Sequence, residues 1–249
     1  MQAIERRERR NALIWWAGLL AVLAVTAWLC RDFRWHVVWQ SGPYLLRGLG
    51  ISWLLALASI AIGFVAGILL AAARLAAPAG LRHLAIAYIE LLRAVPQLMV
   101  IFWVFFTWPA LTGQALSAWT AGIVSLSLIA AAYLAEVVRA GLLSVPRVQV
   151  ECGLVTGLTP TTIFVRIVLP QALRNMLPAL IAHFVMMFKI TSLVYVIGLI
   201  DFFRAIILVN NRDFAPYALY TTMAVGYFVC CYALSWLVRR LDPKYTLTS

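Results

Sequence analysis

Long apolar runs constrain this chain more than any other feature of its sequence. A run of roughly 18 or more apolar residues is long enough to cross the hydrocarbon layer as a helix. We therefore predict an all-α polytopic membrane protein with about six transmembrane helices. The predicted spans cover residues 12–30, 49–73, 95–108, 119–143, 176–199 and 217–238, and an interfacial helix leads into the short third span.

Composition excludes soluble domains. Of the 249 residues, 64% are hydrophobic and 12% are charged, and the mean hydropathy is +0.94, which is too apolar for a soluble globular protein. The alternating segments of about ten residues that are typical of outer-membrane barrels do not occur. The net charge of +11 indicates basic loops beside anionic lipid headgroups. Basic patches interleaved with aromatic residues are missing, so we expect no nucleic acid partner.

The distribution of Lys and Arg predicts the orientation. With six spans, thirteen of these side chains fall on the side of the two termini and five on the opposite side. Positive residues accumulate in cytoplasmic loops, so both termini and the 144–174 loop are predicted to be cytoplasmic. The basic start at residues 1–11 resembles a signal peptide, but the apolar run after it is too long and lacks a small-residue cleavage site. We therefore expect an uncleaved first span.

The 144–174 loop is the longest polar interruption, and its residues predict two short helices at an angle. Ser144 with Pro146 can open the first helix, and Gly157 can close it in the left-handed conformation. Thr159 followed by Pro160 is an N-cap with proline at the first helical position. A rigid, solvent-facing pair of helices is suited to docking on another protein.

The same loop contains a spaced motif. Glu151 is followed by Gly157, and then by Ile167, Leu169 and Pro170. This spacing resembles the EAA loop of ABC-type importer permeases, in which Glu-Ala-Ala precedes a glycine and an Ile-x-Leu-Pro sequence. On these residues, the chain resembles the permease subunits of ABC importers.

The resemblance implies that the loop docks on a cytoplasmic ATPase. The residues expected to carry this coupling are Glu151, Gly157, Leu158, Pro160, Ile167, Leu169 and Pro170. Glu151 would hold the loop against the ATPase or against the second loop helix. Cys152 and Gly153 replace the two alanines of the motif, and glycine weakens a helix by about 1 kcal/mol relative to alanine. The alternative interpretation is an ordinary amphipathic loop helix.

The segment before the third span carries a second group of candidates. Glu90 and Arg93 are three residues apart and can pair on one helix face. Pro96 follows one turn later and is expected to bend the segment. Arg93 and Pro96 are candidates for the substrate pathway; the alternative is an interfacial helix that simply leads into a span.

Lys189 is a charge in the middle of the predicted fifth span. An unpaired charge at the membrane centre costs at least about 2.5–3.5 kcal/mol on insertion scales, so Lys189 should face a cavity, the bundle interior or an acid. Thr191 and Ser192 follow it and can hydrogen-bond to a substrate. We weigh a substrate contact by these three residues against a structural ion pair between Lys189 and Glu136 or another acid.

No catalytic or metal-binding constellation is evident. The chain has no GxxxxGK[ST] phosphate loop, and His36, His83 and His183 are scattered. The four cysteines have no metal-ligand spacing. We therefore expect a transport subunit that is not an enzyme and binds no cofactor, with ATP and Mg²⁺ bound by a separate ATPase.

The resemblance to polar amino acid importer permeases extends over residues 44–240. It divides the chain into an N-terminal part (1–43), this permease core and a tail (241–249), and the segment 191–204 is most similar to glutamate/aspartate importers. Ile190 departs from the family, which usually has Asp or Asn there. The implied partners are an ATPase dimer, a second permease subunit (identical or different), a periplasmic binding protein and membrane lipid, all at a bacterial inner membrane. Permeases for basic or neutral polar amino acids, secondary transporters or channels, and membrane enzymes are the alternatives.

Overall fold

The computed structural model describes Trp16, Arg31 and residues 33–241, with side-chain surroundings as far as Trp236. Apart from Trp16, the predicted first span therefore lies outside the described residues, as does most of the tail. The described helices are α1 (Trp35–Gln40), α2 (Gly42–Ala76), α3 (Ala79–Ala94), α4 (Gln97–Thr112), α5 (Ala118–Leu143), α6 (Arg147–Val155), α7 (Pro160–Ile197), α8 (Phe202–Asp213) and α9 (Pro216–Leu241).

Four of these helices are long and apolar enough to cross a membrane: α2, α5, α7 and α9. The pair α3 and α4 passes the same test only when taken together, and it is bent by 111°. The bend lies at Pro96, because Val95 before it is extended (φ −83°, ψ 139°), as steric contact with a proline ring favours. The predicted bend is confirmed, and the third span predicted at 95–108 corresponds to α4, which follows the bend.

Helix α5 is the centre of the bundle, with 67% of its apolar window buried against 17% for α9. Helix α2 packs closely along it through two glycines. A Cβ atom on Gly63 would lie 2.5 Å from the Cβ of Ala130, and one on Gly67 would lie 3.0 Å from the Cβ of Leu134. The close contact predicted by small residues four apart therefore occurs.

The contacts of these glycines also give the helix directions. Residue numbers rise together along both helices, so α2 and α5 run parallel, and α3 with α4 carries the chain back between them. Helix α7 runs antiparallel to α5, since Met176 lies at Gly141 and Val194 at Gly122. Helices α2 and α5 consequently end at the side of the bundle that bears the 144–174 loop, which we call the loop end.

The opposite end is closed by a turn between α7 and α8. Asp201 is fully buried and caps α8, accepting hydrogen bonds from the backbone N–H groups of Phe203 (3.3 Å) and Arg204 (3.0 Å). The N–H of Phe202 donates to Ser52 Oγ at 3.1 Å, which ties this turn to α2. Burial raises the pKa of Asp201 to about 6, against the opposing effect of these N–H donors.

Two prolines inside helices each follow a π-helical turn. The turn Trp103–Thr107 ends two residues before Pro109, and the turn Phe164–Val168 ends two residues before Pro170. Proline lacks an N–H group, and its ring crowds the carbonyl four residues earlier. In both cases this carbonyl lies within the π-helical turn, which is wider than an α-helical turn. The wider turn lets the helix continue past the proline.

This continuity changes two predicted boundaries. The second loop helix is not short, because α7 runs unbroken from Pro160 to Ile197 and includes all but the last two residues of the predicted fifth span. The segment after it, predicted as a polar external stretch, is helix α8. The all-α, multi-pass fold class is confirmed.

We predict that Gly63→Ala destabilises the protein because its Cβ would meet Ala130. The expected loss is about 1–3 kcal/mol, as for other overpacked contacts. Adding Ala130→Gly should recover part of that loss, and Gly50→Ala on the same helix, where nothing lies within 4 Å, should change little. Thermal unfolding of the detergent-purified proteins measures this. Equal melting temperatures for the Gly63 and Gly50 variants would contradict the packing.

Candidate functional site

The first loop helix, α6, ends in a Schellman turn. Gly157 has φ +78°, and its N–H donates to the carbonyl of Leu154 at 3.0 Å, while the N–H of Leu158 donates to the carbonyl of Gly153 at 3.0 Å. These are the two hydrogen bonds of the motif. Gly157 thus has the left-handed conformation that the sequence predicted.

The second loop helix starts as predicted, whereas the first does not. Thr159 caps α7, and its Oγ1 accepts from the N–H of Thr162 at 3.3 Å, with Pro160 in the first turn. Ser144 does not open α6: it is the C-cap residue of α5, and its hydroxyl donates to the carbonyl of Gly141 at 2.7 Å. Helix α6 instead begins directly after Pro146.

One close contact and one side-chain hydrogen bond hold α6 against α7, and a second hydrogen bond joins α7 to the end of α5. Gly153 is buried beneath Ile163, whose Cγ1 would lie 2.8 Å from a Cβ at that position. The amide of Gln171 donates to Gln149 Oε1 at 2.5 Å. The amide of Asn175 donates to Ser144 Oγ at 2.8 Å. The glycine expected to weaken α6 therefore permits it to pack on α7.

The outer surface of the loop is apolar and exposed. Its large exposed side chains are Val148, Leu154, Val155, Leu158, Phe164 and Val165, with Val155 88% exposed. Glu151 is exposed beside them, and no contact to the second loop helix is recorded for it among the described side chains. An exposed apolar surface of this kind marks an interaction site. We call these seven residues the loop surface.

The other motif residues occupy different environments. Pro160 and Pro170 are exposed, whereas Ile167 and Leu169 are partly buried. Pro170 follows the π-helical turn in α7, and Leu169 directly precedes it. The spaced motif thus combines residues of the loop surface with residues that shape the helix behind it.

A cluster of four charged residues lies near the loop end and links α2, α3 and α5. Arg74 contacts Glu136 at 3.0 Å and Glu90 at 3.5 Å, and Arg139 pairs with Glu136. Two ion pairs considered from the sequence are therefore wrong: Glu90 with Arg93, and Lys189 with Glu136. Arg74 carries no local sequence signal for this role, because its acidic partners lie on other helices.

Arg93 lies next to this cluster but forms no ion pair with the described side chains. Its guanidinium lies 5.7 Å from the ring centroid of Tyr133, within the range of cation–π attraction. The ring of His183 lies 5.7 Å from the same ring. Arg93, Tyr133 and Asn175 line a groove of about 310 Å³ between α3, α5 and α7, which we call the inner groove.

Lys189 lines a second groove, of about 420 Å³, between α7 and α9. Its side chain is exposed, and no carboxylate pairs with it among the described residues. Ser192, Tyr227 and Cys231 line the same groove. Lys189 is therefore a cation at membrane depth without an acidic neighbour in this part of the chain.

Thr191 and Ser192 lie where α7 changes to a 3-10 helix over Thr191–Ile197. Thr191 is fully buried and its hydroxyl donates to the carbonyl of Phe188 at 2.8 Å, while the Ser192 hydroxyl donates to the carbonyl of Lys189 at 2.8 Å. Of Lys189, Thr191 and Ser192, the three predicted substrate contacts on α7, only Lys189 and Ser192 line the same groove. A 3-10 segment of this length is unusual and often marks a hinge.

The chain is similar in sequence to known transport proteins. Residues 63–247 match the family described as "Binding-protein-dependent transport system inner membrane component". The glutamate/aspartate import permease protein GltK of Escherichia coli is 34% identical over 220 residues, 86% of this chain and 98% of that protein. The glutamine transport system permease protein GlnP of Escherichia coli is 30% identical over 214 residues, with the same coverage.

Solved structures agree with this similarity. An amino acid ABC transporter crystallised with histidines matches with a TM-score of 0.78 and 28% identity, over 82% of this chain and 95% of that one. The MetNI methionine ABC transporter shares the fold, with a TM-score of 0.68 at 22% identity. The chain belongs to the family of binding-protein-dependent transport system inner membrane components, as a multi-pass permease subunit of a bacterial ABC importer for polar amino acids.

Proposed function

We propose that this chain forms the translocation pathway of an ATP-driven importer for glutamate and aspartate, and that the loop surface receives the motion of a separate ATPase. The greater identity to a glutamate/aspartate permease than to a glutamine permease supports the acidic substrate. Glutamine is the second candidate, because its permeases are similar over as much of the chain.

The observation that carries the coupling role is the loop surface itself. Its apolar side chains lie on α6, on the turn after it and on the first two turns of α7, at the loop end. The Schellman turn and the contact of Gly153 with Ile163 set the angle between the helices. A rigid apolar projection next to a carboxylate fits a groove on a partner protein.

The continuity of α7 supplies a route for this motion. The helix begins within the loop at Pro160 and continues past Lys189 without a break, so displacement of the loop moves the side chain in the membrane. The π-helical turn before Pro170 and the internal Pro178 are points at which the helix can bend. In this proposal Ile167, Leu169 and Pro170 shape this first stretch of α7.

Exposure along the helices supports α7 as the lining of the pathway. Asn175, Ala182 and Lys189 are exposed at intervals of seven residues and thus share a face of α7. Between residues 54 and 69 of α2, most exposed positions are large and apolar, including Leu54, Leu57, Ile62 and Val65, as lipid contact requires. A face with small and polar residues instead borders water or substrate.

The remaining partners follow from the importer class. A periplasmic binding protein would deliver the amino acid, and a second permease subunit, identical or different, would complete the pathway. ATP and Mg²⁺ would be bound by the ATPase dimer. Lys189 would attract the substrate carboxylate in the groove that it shares with Ser192, and the bend at Pro96 would let Arg93 reach the pathway.

We predict that the backbone conformation of Gly157 is required for coupling. Nothing lies within 4 Å of a Cβ at this position, so Gly157→Val perturbs the left-handed turn alone, at a cost of about 1–2 kcal/mol. Uptake per permease in the membrane should fall several-fold, whereas Gly157→Asn should keep more activity because asparagine adopts this conformation more readily. Equal uptake by both variants would contradict the role of the turn.

Substrate identity is tested in cells that lack their own acidic amino acid uptake and express the chain with its ATPase and binding protein. Uptake of labelled glutamate should be competed by aspartate and not by glutamine, and Lys189→Gln should reduce it. Arg212→Gln, 66% exposed at the opposite end from the loop, is the matched control. Competition by glutamine and not by aspartate would identify glutamine as the substrate instead. Uptake that persists without the ATPase would contradict the assignment as an ATP-driven importer.

A further inference from the structure

One side of α9 is apolar and exposed over most of its length. No charged residue occurs in the stretch Pro216–Trp236, yet only 17% of its apolar window is buried. Tyr217, Val225, Phe228 and Val229 are exposed, and at 3.6 residues per turn they fall within an arc of about 120°. We call these four residues the α9 face.

Two contacts bring the N-terminal part of the chain to the start of this face. The rings of Phe33 and Tyr217 stack with their centroids 5.4 Å apart. Arg34 Nη1 donates to the backbone carbonyl of Asp213 at 2.7 Å. The predicted first span ends at residue 30, and the three residues between it and Phe33 reach at most about 11 Å. The predicted span therefore ends close to the first turn of α9.

The directions and lengths of the two segments also match. Arg212 Nη2 donates to Ser41 Oγ at 3.1 Å, so α9 begins at the end of the bundle where α2 begins and runs toward the loop end. A span that ends beside that start runs in the opposite direction, which puts the arginines of residues 1–11 at the loop end, as the positive-inside rule requires. Its 19 residues measure about 28 Å as a helix, close to the roughly 30 Å of the hydrocarbon layer.

The predicted first span has a face of small residues. Ala17, Ala21 and Ala24 are spaced four and three residues apart, so they share one side of a helix. Trp16 lies outside this side, and the structure describes it as helical and exposed. Small residues let a neighbouring membrane helix approach closely, and the large side chains of the α9 face would fill the space beside them.

We propose that residues 12–30 form a transmembrane helix that packs antiparallel to α9 of the same chain, with the three alanines toward the α9 face. The connection through Phe33 gives this helix a high effective concentration at the α9 face, which a separate protein lacks. The family match begins at residue 63. The helix is therefore an addition to the shared permease core, and it closes the α9 face to a second permease subunit.

The contact at Phe33 predicts which residues lie at the same depth. Ala21 comes twelve residues before Phe33, and Val229 comes twelve residues after Tyr217. The variant Ala21→Cys with Val229→Cys is therefore oxidised with copper phenanthroline in membranes, in a chain whose four native cysteines are replaced by serine. A protease site inserted beside Gly113, where nothing lies within 4 Å of a Cβ, cuts the chain between the two positions.

Oxidation should keep the two fragments together after cleavage, while the uncut protein stays at the mass of one permease chain. A second pair, Ala24→Cys with Val225→Cys, lies about one turn away and should behave in the same way. These two results together show an internal disulfide between the first span and α9.

Two matched controls each change one member of the first pair. Leu19→Cys with Val229→Cys moves the first cysteine to the other side of the predicted helix. Ala21→Cys with Val65→Cys moves the second cysteine to an exposed position on α2. Both controls should form the internal disulfide in several-fold lower yield.

Three results would overturn the proposal. The first is the absence of an internal disulfide from both α9 pairs, and the second is an equal yield from the controls. The third is a disulfide that joins two permease chains, which would assign the α9 face to a second copy instead. None of these results bears on the proposed function, because the assay does not measure transport.

Discussion

The close parallel packing of α2 on α5 is the contact on which the rest of the fold depends. Gly63 and Gly67 bring the two backbones together where no side chain larger than hydrogen fits beside Ala130 and Leu134. In a membrane such contacts rely on packing, because lipid supplies little hydrophobic drive between helices. Parallel neighbours also require a return crossing, and the bent pair α3 and α4 supplies it. Tyr88 anchors α3 by donating to the carbonyl of Leu128 on α5 at 2.9 Å.

The return crossing brings charges together at the loop end. Arg74 lies near the end of α2 and Glu136 near the end of α5, so parallel packing places them side by side. Glu90 joins them from α3. The cluster therefore links α2, α3 and α5 near the loop end. Arg93, one turn beyond Glu90, lines the inner groove together with Glu136.

Helix α7 connects the loop to the membrane interior. Its second turn carries Phe164 and Val165 of the loop surface, its middle lines the inner groove, and its last turns carry Lys189 to the start of the 3-10 segment. In the proposed mechanism, a rotation or tilt of the loop is transmitted along this one helix. Asp201 and Ser52 hold the far end of this unit against α2, so the opposite end of α7 is anchored while the loop end projects.

Local signals in the sequence were sufficient for part of this arrangement. Gly157, the Thr159 cap and the bend at Pro96 depend on backbone conformations set by one or two residues, and each was predicted correctly. The continuity of α7 was not predicted, since Pro170 and Pro178 normally indicate a helix boundary and the π-helical turn that accommodates Pro170 has no simple sequence signature. The partners of Glu90 and Glu136 were also mispredicted. Ion pairs between helices depend on tertiary packing, which spacing along one helix does not encode.

Site-specific cross-linking tests most directly whether the loop surface contacts the ATPase. A photoreactive amino acid placed at Val155, 88% exposed on the loop, should cross-link to the ATPase subunit in membranes, and the yield should change when ATP is added. The same probe at Trp39, 81% exposed on α1, should give no such product. Cross-linking to the ATPase from Trp39 but not from Val155 would contradict the account.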